Sequence, residues 1–418
     1  MLLRRINRAA RRLPFSLLLI TAAPFIVEVL IHIWRYQVPR PATELDAPFS
    51  TSCQEPDVGA ERENAVIVML ARNNERQKAK KTIQSLEAQF NKWFNYPILF
   101  LNDEDWTPRF VNELNETAGG KGIFEVIPKE HWTYPDWIDQ DAAKNSIKKQ
   151  GEAGAPHAGL EGYHHMCRFY SGKFYQLDAL KKYKWYWRVE PDVDFTCAIT
   201  YDPFVQMAKR KKVYGFTIAL WEVGKSCPGL FRATADWKES RGVVTSNLWS
   251  AMMQASWMPF PFRRFLSWIP HRDSYGDAWS LCHYWSNFEI ADMDFFRSKA
   301  YQDYFDYLDK KGGFYNERWG DAAVHSLAIA MLADSQQVHH FEDIGYRHDT
   351  FYQCPVNAPG GQLPSSPSLA ENKPWTPEEA GGIGCRCKCT GKEKLRNYGT
   401  YCLDKLKQPN TPKRGWFS

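Results

Sequence analysis

Residues 65–101 carry a strand–helix–strand pattern, which constrains the fold more than any other feature of the chain. The apolar, β-branched run AVIVML (65–70) predicts a buried strand, PILFL (97–101) predicts a second, and residues 75–94 between them have helical spacing. Two strands joined in this way within one sheet run parallel with a right-handed crossover, and ligands bind beyond the carboxyl ends of such strands. The sequence therefore predicts an α/β protein with a ligand site at one edge of a sheet.

The stretch 184–194, KWYWRVEPDVD, predicts another buried strand that ends in acidic residues. Pro191 donates no ladder hydrogen bond and keeps Glu190 extended, so we expect the strand to stop there. If the extended path continues, Glu190, Asp192 and Asp194 point to the same side. Carboxylate oxygens suit Mg²⁺ and Mn²⁺, so the run favours a cation site, and a strand end with solvated acids is the alternative.

Arg72 and Tyr163 are candidate ligand-binding residues. Arg72 comes just after the first strand, where its planar guanidinium can meet a phosphate or a base edge; a surface arginine that opens a helix is the alternative. Tyr163 opens a predicted helix, residues 163–180, that leads into the acidic strand. Its phenol can bond a ligand, although an aromatic helix residue usually belongs to the core.

Two later carboxylates are also candidates. Glu289 lies in the aromatic and amide-rich block CHYWSNFEI (282–290), and an enclosed carboxylate is costly unless it is paired or functional. A hydrogen-bonded structural acid is the alternative. Asp321 precedes AAVHSLAIAML, so we expect it to cap that helix or to bond a sugar hydroxyl in a cleft.

Three histidines near residue 340 are candidates for a further cation ligand, because Mn²⁺ accepts imidazole as well as carboxylate. They are His339, His340 and His348. A structural role is the alternative for each of them.

The composition bears on the kind of ligand. Aromatic residues make up 15% of the 418 residues, with 17 Trp and 20 Tyr, which is common where sugars or bases are gripped and also fits a large aromatic core. The net charge of +5 comes without a long basic tract beyond the N-terminus, so nucleic-acid binding is not predicted.

The N-terminus predicts a membrane anchor. Residues 13–34 are mostly apolar and long enough to cross a bilayer, and they follow five arginines within residues 1–12. We expect a cytoplasmic tail (1–12), a transmembrane signal anchor (13–34), a proline-containing stem (35–64) and a lumenal domain (65–418). Glu28 and His32 are costly at mid-bilayer, and a cleaved signal peptide is the alternative.

Cysteines and a glycosylation sequon agree with a lumenal body. Asn115-Glu116-Thr117 is an N-glycosylation sequon, which we expect in a surface loop. Of the ten cysteines, Cys385, Cys387 and Cys389 are separated by single residues, a spacing that is untypical of zinc sites. We therefore expect disulfides, whose pairing the sequence does not specify.

Two segments are predicted to be long surface loops outside the regular strands and helices. Residues 118–162 are polar and rich in turns, which predicts a long surface excursion. Residues 227–278 are interrupted by prolines and carry aromatic side chains. A lid and a membrane-facing flap are the two alternative interpretations of this segment.

Nine sequence blocks, taken together and in order, resemble the fungal Golgi α-1,2-mannosyltransferases, also called glycolipid 2-α-mannosyltransferases or glycosyltransferase family 15. The blocks lie between residues 65 and 402 and read LARN, FNYPILFLND, KEHWTYPDWID, YHHMCRFYSG, YWRVEPDVD, KVYGFTIA, LCHYWSNFEIA, GGFYNERWGDAAVHS and DIGYRH. The resemblance implies a GT-A-like α/β fold with a mixed sheet flanked by helices. It also implies a Golgi enzyme, single-pass type II, with its catalytic domain in the lumen.

The implied reaction is retaining transfer of mannose from GDP-mannose to a mannose-terminated N-linked, O-linked or cell-wall glycan with Mn²⁺. By resemblance, Glu190 and His348 hold the metal, and Asp192 lies closer to the donor sugar or to metal-bound water. Arg72, Tyr163 and Asp321 match substrate-binding positions; Glu289 matches the carboxylate proposed as nucleophile. A catalytically silent mannose-binding or scaffold protein of the same fold is the alternative, and a glycoside hydrolase is a third hypothesis.

Overall fold

The computed structural model describes residues 15–37, 48–50, 53–359, 376–389 and 398–407. The predicted cytoplasmic tail and residues 38–47 of the predicted stem lie outside this part of the chain. The described strands are β1 (Ala65–Leu70), β2 (Ile98–Asn102), β3 (Gly122–Val126), β4 (Trp185–Val189), β5 (Val193–Phe195), β6 (Tyr214–Phe216), β7 (Ala219–Trp221), β8 (Met253–Gln254), β9 (Ala278–Trp279), β10 (Cys282–Tyr284), β11 (Glu289–Asp292), β12 (Val338–His340), β13 (Tyr346–His348) and β14 (Phe351–Gln353).

Along the sequence, most of the helices connect consecutive strands of the central sheet. The α-helices of five residues or more are Phe15–Gln37, Arg76–Leu86, Pro108–Thr117, Gln140–Glu152, Glu161–Arg168, Pro203–Lys209, Leu230–Ser240, Asn247–Met252, Met293–Arg297, Lys299–Lys311, Asp321–Leu332 and Tyr398–Lys407.

A seven-stranded sheet in the order β12-β6-β11-β4-β1-β2-β3 forms the centre of the molecule. The strands β4, β1, β2 and β3 are parallel, as are β12 and β6, while β11 runs antiparallel to both of its neighbours. The predicted mixed sheet flanked by helices is therefore confirmed, and the predicted strand–helix–strand unit supplies the adjacent strands β1 and β2.

The core lies on both faces of this sheet. Because side chains alternate along a strand, Val66 and Val68 pack in one apolar cluster, and Ile67 and Met69 pack in the other. Burial on both sides explains why β1 is apolar without interruption.

A three-stranded sheet, in the order β14-β13-β5, stands beside the end of β4. Strand β4 ends at Val189, as predicted, and β5 begins at Val193 after a turn. In the antiparallel pairing of β5 with β13, Val193 lies opposite His348. This register brings a distant part of the chain against the acidic strand end.

Four disulfides confirm the cysteine prediction. They join Cys53 to Cys385, Cys197 to Cys387, Cys282 to Cys402 and Cys354 to Cys389. Three of the four tie residues 385–389 to distant parts of the chain.

Several local predictions need correction. The segment 118–162 contains the edge strand β3 and the helix Gln140–Glu152, so the excursion is smaller than expected. The apolar run VYGFTIAL (213–220) predicts one strand, but it forms two, β6 and β7, that pair in different sheets. Asn115 of the sequon lies near the end of the helix Pro108–Thr117 instead of in a loop.

The N-terminal apolar run forms the helix Phe15–Gln37. Within the residues that the structure describes, no helix combines the length and apolar character needed to cross a membrane.

Candidate active site

A cavity of about 350 Å³ opens at the carboxyl ends of β1, β2 and β4, where the sequence pattern places a ligand. The amino end of the helix Glu161–Arg168 forms another wall. Side chains that can bind a ligand line it: Arg72, Asp103, Tyr163, Tyr170, Arg188 and Glu190. Three of the predicted site residues thus share one cavity.

Glu190, Asp192 and His348 form a candidate cation site beside this cavity. One possible ligand atom from each residue lies within 4.8 Å of the other two. His348 Nε2 is 3.0 Å from Asp192 Oδ1 and 3.9 Å from Glu190 Oε2. Two carboxylates and one imidazole are a donor set that suits Mn²⁺.

The hydrogen bonds of His348 fix its orientation. The Asn287 amide faces His348 Nδ1 at 2.5 Å, while its oxygen accepts a bond from Tyr346, so the amide donates to the ring. The other nitrogen then donates to Asp192. This bond lowers the pKa of Asp192 to about 2, so the carboxylate is charged near neutral pH.

Asp194 does not join the cluster. The chain turns at Pro191-Asp192, and Asp194 forms an ion pair with Arg347 Nη2 at 3.5 Å. His339 and His340 also lie elsewhere: the His339 ring stacks on Phe49, and His340 Nε2 faces the Thr217 carbonyl. The structure thus selects one of the three candidate histidines.

Arg188 connects the candidate cation site to the interior, and it is not among the residues predicted from the sequence. Its guanidinium donates to Asp321 Oδ2 at 2.5 Å and to Glu190 Oε1 at 2.8 Å, and it lies 4.0 Å from Glu289 Oε1. It also stacks 3.6 Å from the centre of the Tyr170 ring. A charged residue inside an otherwise apolar strand was the available signal.

Glu289 is fully buried, behind Arg188 as seen from the cavity. Tyr186 and Tyr214 donate their hydroxyl hydrogens to its two oxygens at 2.9 and 3.0 Å. His325 Nδ1 lies 3.1 Å from the same carboxylate. The expected pairing of this acid is confirmed, and its carboxylate does not line the described cavity.

His325 is a second buried basic residue beside Glu289. Burial lowers its pKa, but Glu289 and Asp321 raise it, and the net shift is upward. Both ring nitrogens face acceptors, since Nε2 lies 3.0 Å from the Tyr170 carbonyl. The geometry therefore fits the doubly protonated ring.

Asp321 is the first residue of its helix, and Gly320 occupies the N-cap position, so the predicted capping role was wrong. Its carboxylate instead accepts bonds from Arg188 and from Ser286 Oγ at 2.8 Å. Burial opposes its charge, but Arg188 and His325 lower the pKa of Asp321 below its ordinary value.

Tyr163 is held by a buried ion pair. Arg318 Nη1 donates to its hydroxyl at 3.2 Å, and Arg318 Nη2 donates to Glu222 at 2.7 Å. Neither Arg318 nor Glu222 was singled out from the sequence. Burial raises the pKa of Tyr163, so the phenol stays neutral and can donate to a ligand.

Arg72 lies at the open side of the cavity. Its side chain is 54% exposed, and its nearest carboxylate is Asp103, at 3.8 Å. This long contact leaves the guanidinium accessible to an anionic ligand.

Comparison with known proteins accounts for this arrangement. Residues 36–359 match the sequence model of a family described as "Glycolipid 2-alpha-mannosyltransferase". The chain is 35% identical to the probable mannosyltransferase KTR7 of Saccharomyces cerevisiae, covering 91% of this chain and 84% of the relative. It is 42% identical to the alpha-1,2 mannosyltransferase KTR1 of the same yeast, covering 71% of each.

Two solved structures have a similar fold. Core-mannan synthase A from Aspergillus fumigatus, in an Mn/GDP form, aligns with a TM-score of 0.66 and 36% identity over 80% of this chain and 90% of that one. The mannosyltransferase Ktr4p of S. cerevisiae, in complex with GDP, aligns with a TM-score of 0.67 and 32% identity over 91% and 88%.

The mixed sheet, with a cavity and a candidate cation site at its carboxyl edge, and the match to known mannosyltransferases together define the class of this chain: it is a glycosyltransferase. Within that class, the chain belongs to the glycolipid 2-alpha-mannosyltransferase family.

Proposed function

We propose that the protein is a retaining α-1,2-mannosyltransferase that moves mannose from GDP-mannose to a mannose-terminated glycan. The observation that carries the proposal is the cluster of Glu190, Asp192 and His348 beside a cavity lined by Arg72 and Arg188. A nucleoside diphosphate needs cations along its phosphates, and Arg72 together with a metal ion held by this cluster would supply them. The relatives with similar structures contain GDP, and one contains Mn as well.

The donor atoms of the cluster fit Mn²⁺, and Glu190, Asp192 and His348 would hold it. Bound there, Mn²⁺ supplies a Lewis acid that offsets the charge developing on the departing diphosphate. Arg72 and Tyr163 would bind the donor from the opposite wall of the cavity. This arrangement follows the GT-A-like pattern, in which the nucleotide sugar lies at the carboxyl edge of the sheet.

Retention of configuration requires a carboxylate on the opposite face of the sugar or attack by the acceptor from the same face. We propose Glu289 as that carboxylate. It is charge-balanced by two buried cations, Arg188 and His325, and Arg188 separates it from the cavity. A direct role therefore requires Arg188 to move aside when the donor binds.

The acceptor and the location complete the proposal. We propose a Golgi enzyme of type II topology whose membrane anchor is the N-terminal segment 13–34, with its catalytic domain in the lumen and N-linked, O-linked or cell-wall mannose chains as acceptors. Four disulfides and a sequon support an oxidising, lumenal environment.

The test is the substitution Glu190→Gln, with Asp194→Asn as the matched control. Both changes remove one carboxylate charge, but Asp194 lies outside the cluster. We expect Glu190→Gln to abolish Mn²⁺-dependent release of GDP from GDP-mannose in the presence of mannobiose, and Asp194→Asn to retain it. Equal turnover in both variants would refute the metal assignment. Absence of GDP release from the unaltered protein would favour the catalytically silent alternative.

A further inference from the structure

The segment 255–277, here called the flap, packs against the N-terminal helix. Strands β8 and β9 close its base by antiparallel pairing. Glu28 of the helix forms an ion pair with Arg263 and accepts a hydrogen bond from the Phe260 amide. His32 Nε2 lies 2.7 Å from Asp277 Oδ1. The two helix residues that are costly in lipid are therefore both paired with the flap.

The contacts leave the opposite face of the helix apolar and exposed. Because an α-helix has 3.6 residues per turn, Phe25, Glu28 and His32 share the face that meets the flap. The other face carries Leu19, Ile20, Ile26, Val27, Leu30 and Ile31, and all six are exposed. Docking thus pairs both ionisable groups and leaves the opposite face of residues 19–31 apolar.

The flap continues this apolar surface. Phe25 of the helix contacts Phe262 of the flap, with ring centres 6.2 Å apart. Phe265 and Trp268 are 73% and 81% exposed, although large aromatic side chains are normally buried. Arg264, also exposed, stands beside them, and arginine and tryptophan are both typical of the membrane interface.

We propose that the flap and the helix Phe15–Gln37 form one lipid-binding unit, in which Phe265 and Trp268 enter the bilayer that anchors the helix. The proposal rests on the proposed membrane anchor and extends it to the catalytic domain. A lipid bilayer fits this surface better than a second copy of the chain, because exposed aromatic side chains beside the exposed Arg264 suit the membrane interface, whereas Arg264 would meet the same cation on a second copy packed face to face. The flap therefore holds the catalytic domain against the membrane surface.

A spin label at position 268 tests the proposal in the full-length chain. The label is attached to Trp268→Cys, and the matched control is Val126→Cys, an exposed apolar position on the edge strand β3. The native free thiols that the structure describes, Cys167 and Cys227, are both buried, which confines labelling to the introduced cysteine. The protein is reconstituted in vesicles of phosphatidylcholine and phosphatidylserine, and in nanodiscs that hold a single copy.

We expect the label at 268 to gain collisions with oxygen and to lose collisions with a water-soluble nickel chelate on reconstitution, while the label at 126 stays in water. A 268 label that remains accessible to nickel in protein that floats with the vesicles would contradict the flap contact alone. Protein that does not float would contradict the anchor and the flap together. Shielding that is seen only with several copies per vesicle would assign the surface to self-association and overturn the proposal.

Charge reversal tests the coupling between helix and flap. Arg263→Glu should break the contact with Glu28 and return the 268 label to water, and adding Glu28→Arg should restore its shielding. A label unaffected by the single change would show that the helix does not position the flap. Mannose transfer to a soluble acceptor, measured on the same samples, reports the proposed enzymatic function separately.

Discussion

Two buried basic side chains, Arg188 and His325, face three carboxylates in the candidate site. Arg188 bonds Glu190 and Asp321, and His325 faces Glu289. Removing one partner of a buried ion pair leaves a charge without compensation, which is costly in a medium that solvates it poorly. We therefore expect the charges of this network to stabilise the fold only when all the partners are present.

Replacing Arg188 tests this balance. Arg188→Met keeps an unbranched apolar stem but removes the guanidinium and its charge, and we expect the free energy of unfolding to fall by about 3–5 kcal/mol. Arg188→Lys keeps the charge without the planar fork, so we expect a smaller loss. Denaturant unfolding of both variants measures the difference. A methionine variant as stable as the unaltered protein would show that the network does not stabilise the fold.

Replacing Glu289 tests its proposed role in catalysis. Glu289→Gln keeps an acceptor for Tyr186 or Tyr214 but removes the negative charge. We expect kcat to fall at least about 100-fold, the scale of losing one electrostatic contribution to a transition state. The measurement is steady-state transfer well below the unfolding temperature of the variant.

Tyr214→Phe is the control for that experiment, because it removes one hydrogen bond to Glu289 and leaves its charge. We expect it to cost about 1 kcal/mol of stability while most turnover remains. If Glu289→Gln and Tyr214→Phe reduced kcat equally, Glu289 would have a structural role only.

At the scale of elements, the pairing of β5 with β13 assembles the cation site. It places His348 opposite Val193, one residue after Asp192 in the chain. Asp192 and His348, more than 150 positions apart in the sequence, are thus brought together by three residue pairs between β5 and β13.

The variant His348→Ala should weaken Mn²⁺ binding by on the order of 10–100-fold, because the only imidazole of the described cluster is lost. His340→Ala is the control, since His340 lies on β12 and bonds the Thr217 carbonyl outside the cluster. Isothermal titration with Mn²⁺ alone measures both affinities. Unchanged affinity in His348→Ala would exclude this residue as a ligand.

The elements that could be predicted from the sequence are those with strong local patterns. Strands β1, β2 and β4 have five or six residues each and are apolar except for Asn102 and Arg188, so their burial and their ends were readable. Strands β5 and β13 have three residues each and depend on each other for hydrogen bonds, so no local signal reveals them. Arg188 was missed for a related reason: its partners lie on other elements, and only the folded register brings them together.

At the scale of the whole molecule, the strand pattern predicted an α/β protein with a ligand site at the carboxyl edge of its sheet, and the resemblance implied that the sheet is mixed. The structure has a mixed sheet with a cavity at that edge. Predicting the site residues required the resemblance of nine blocks in order, because each residue alone had a structural alternative. The disulfide connectivity was not readable, since it depends on the tertiary fold: Cys53 and Cys385 are 332 positions apart in the sequence.

The central claim is transfer of mannose in α-1,2 linkage from GDP-mannose, and linkage analysis of the product tests it most directly. The full-length protein is incubated with GDP-mannose, Mn²⁺ and α-methyl mannoside, and the product is analysed for linkage position and anomeric configuration. We predict an α-1,2-linked disaccharide that is absent when Mn²⁺ is removed by a chelator. A β-linked product, a different linkage, or no product from an otherwise folded protein would contradict the account.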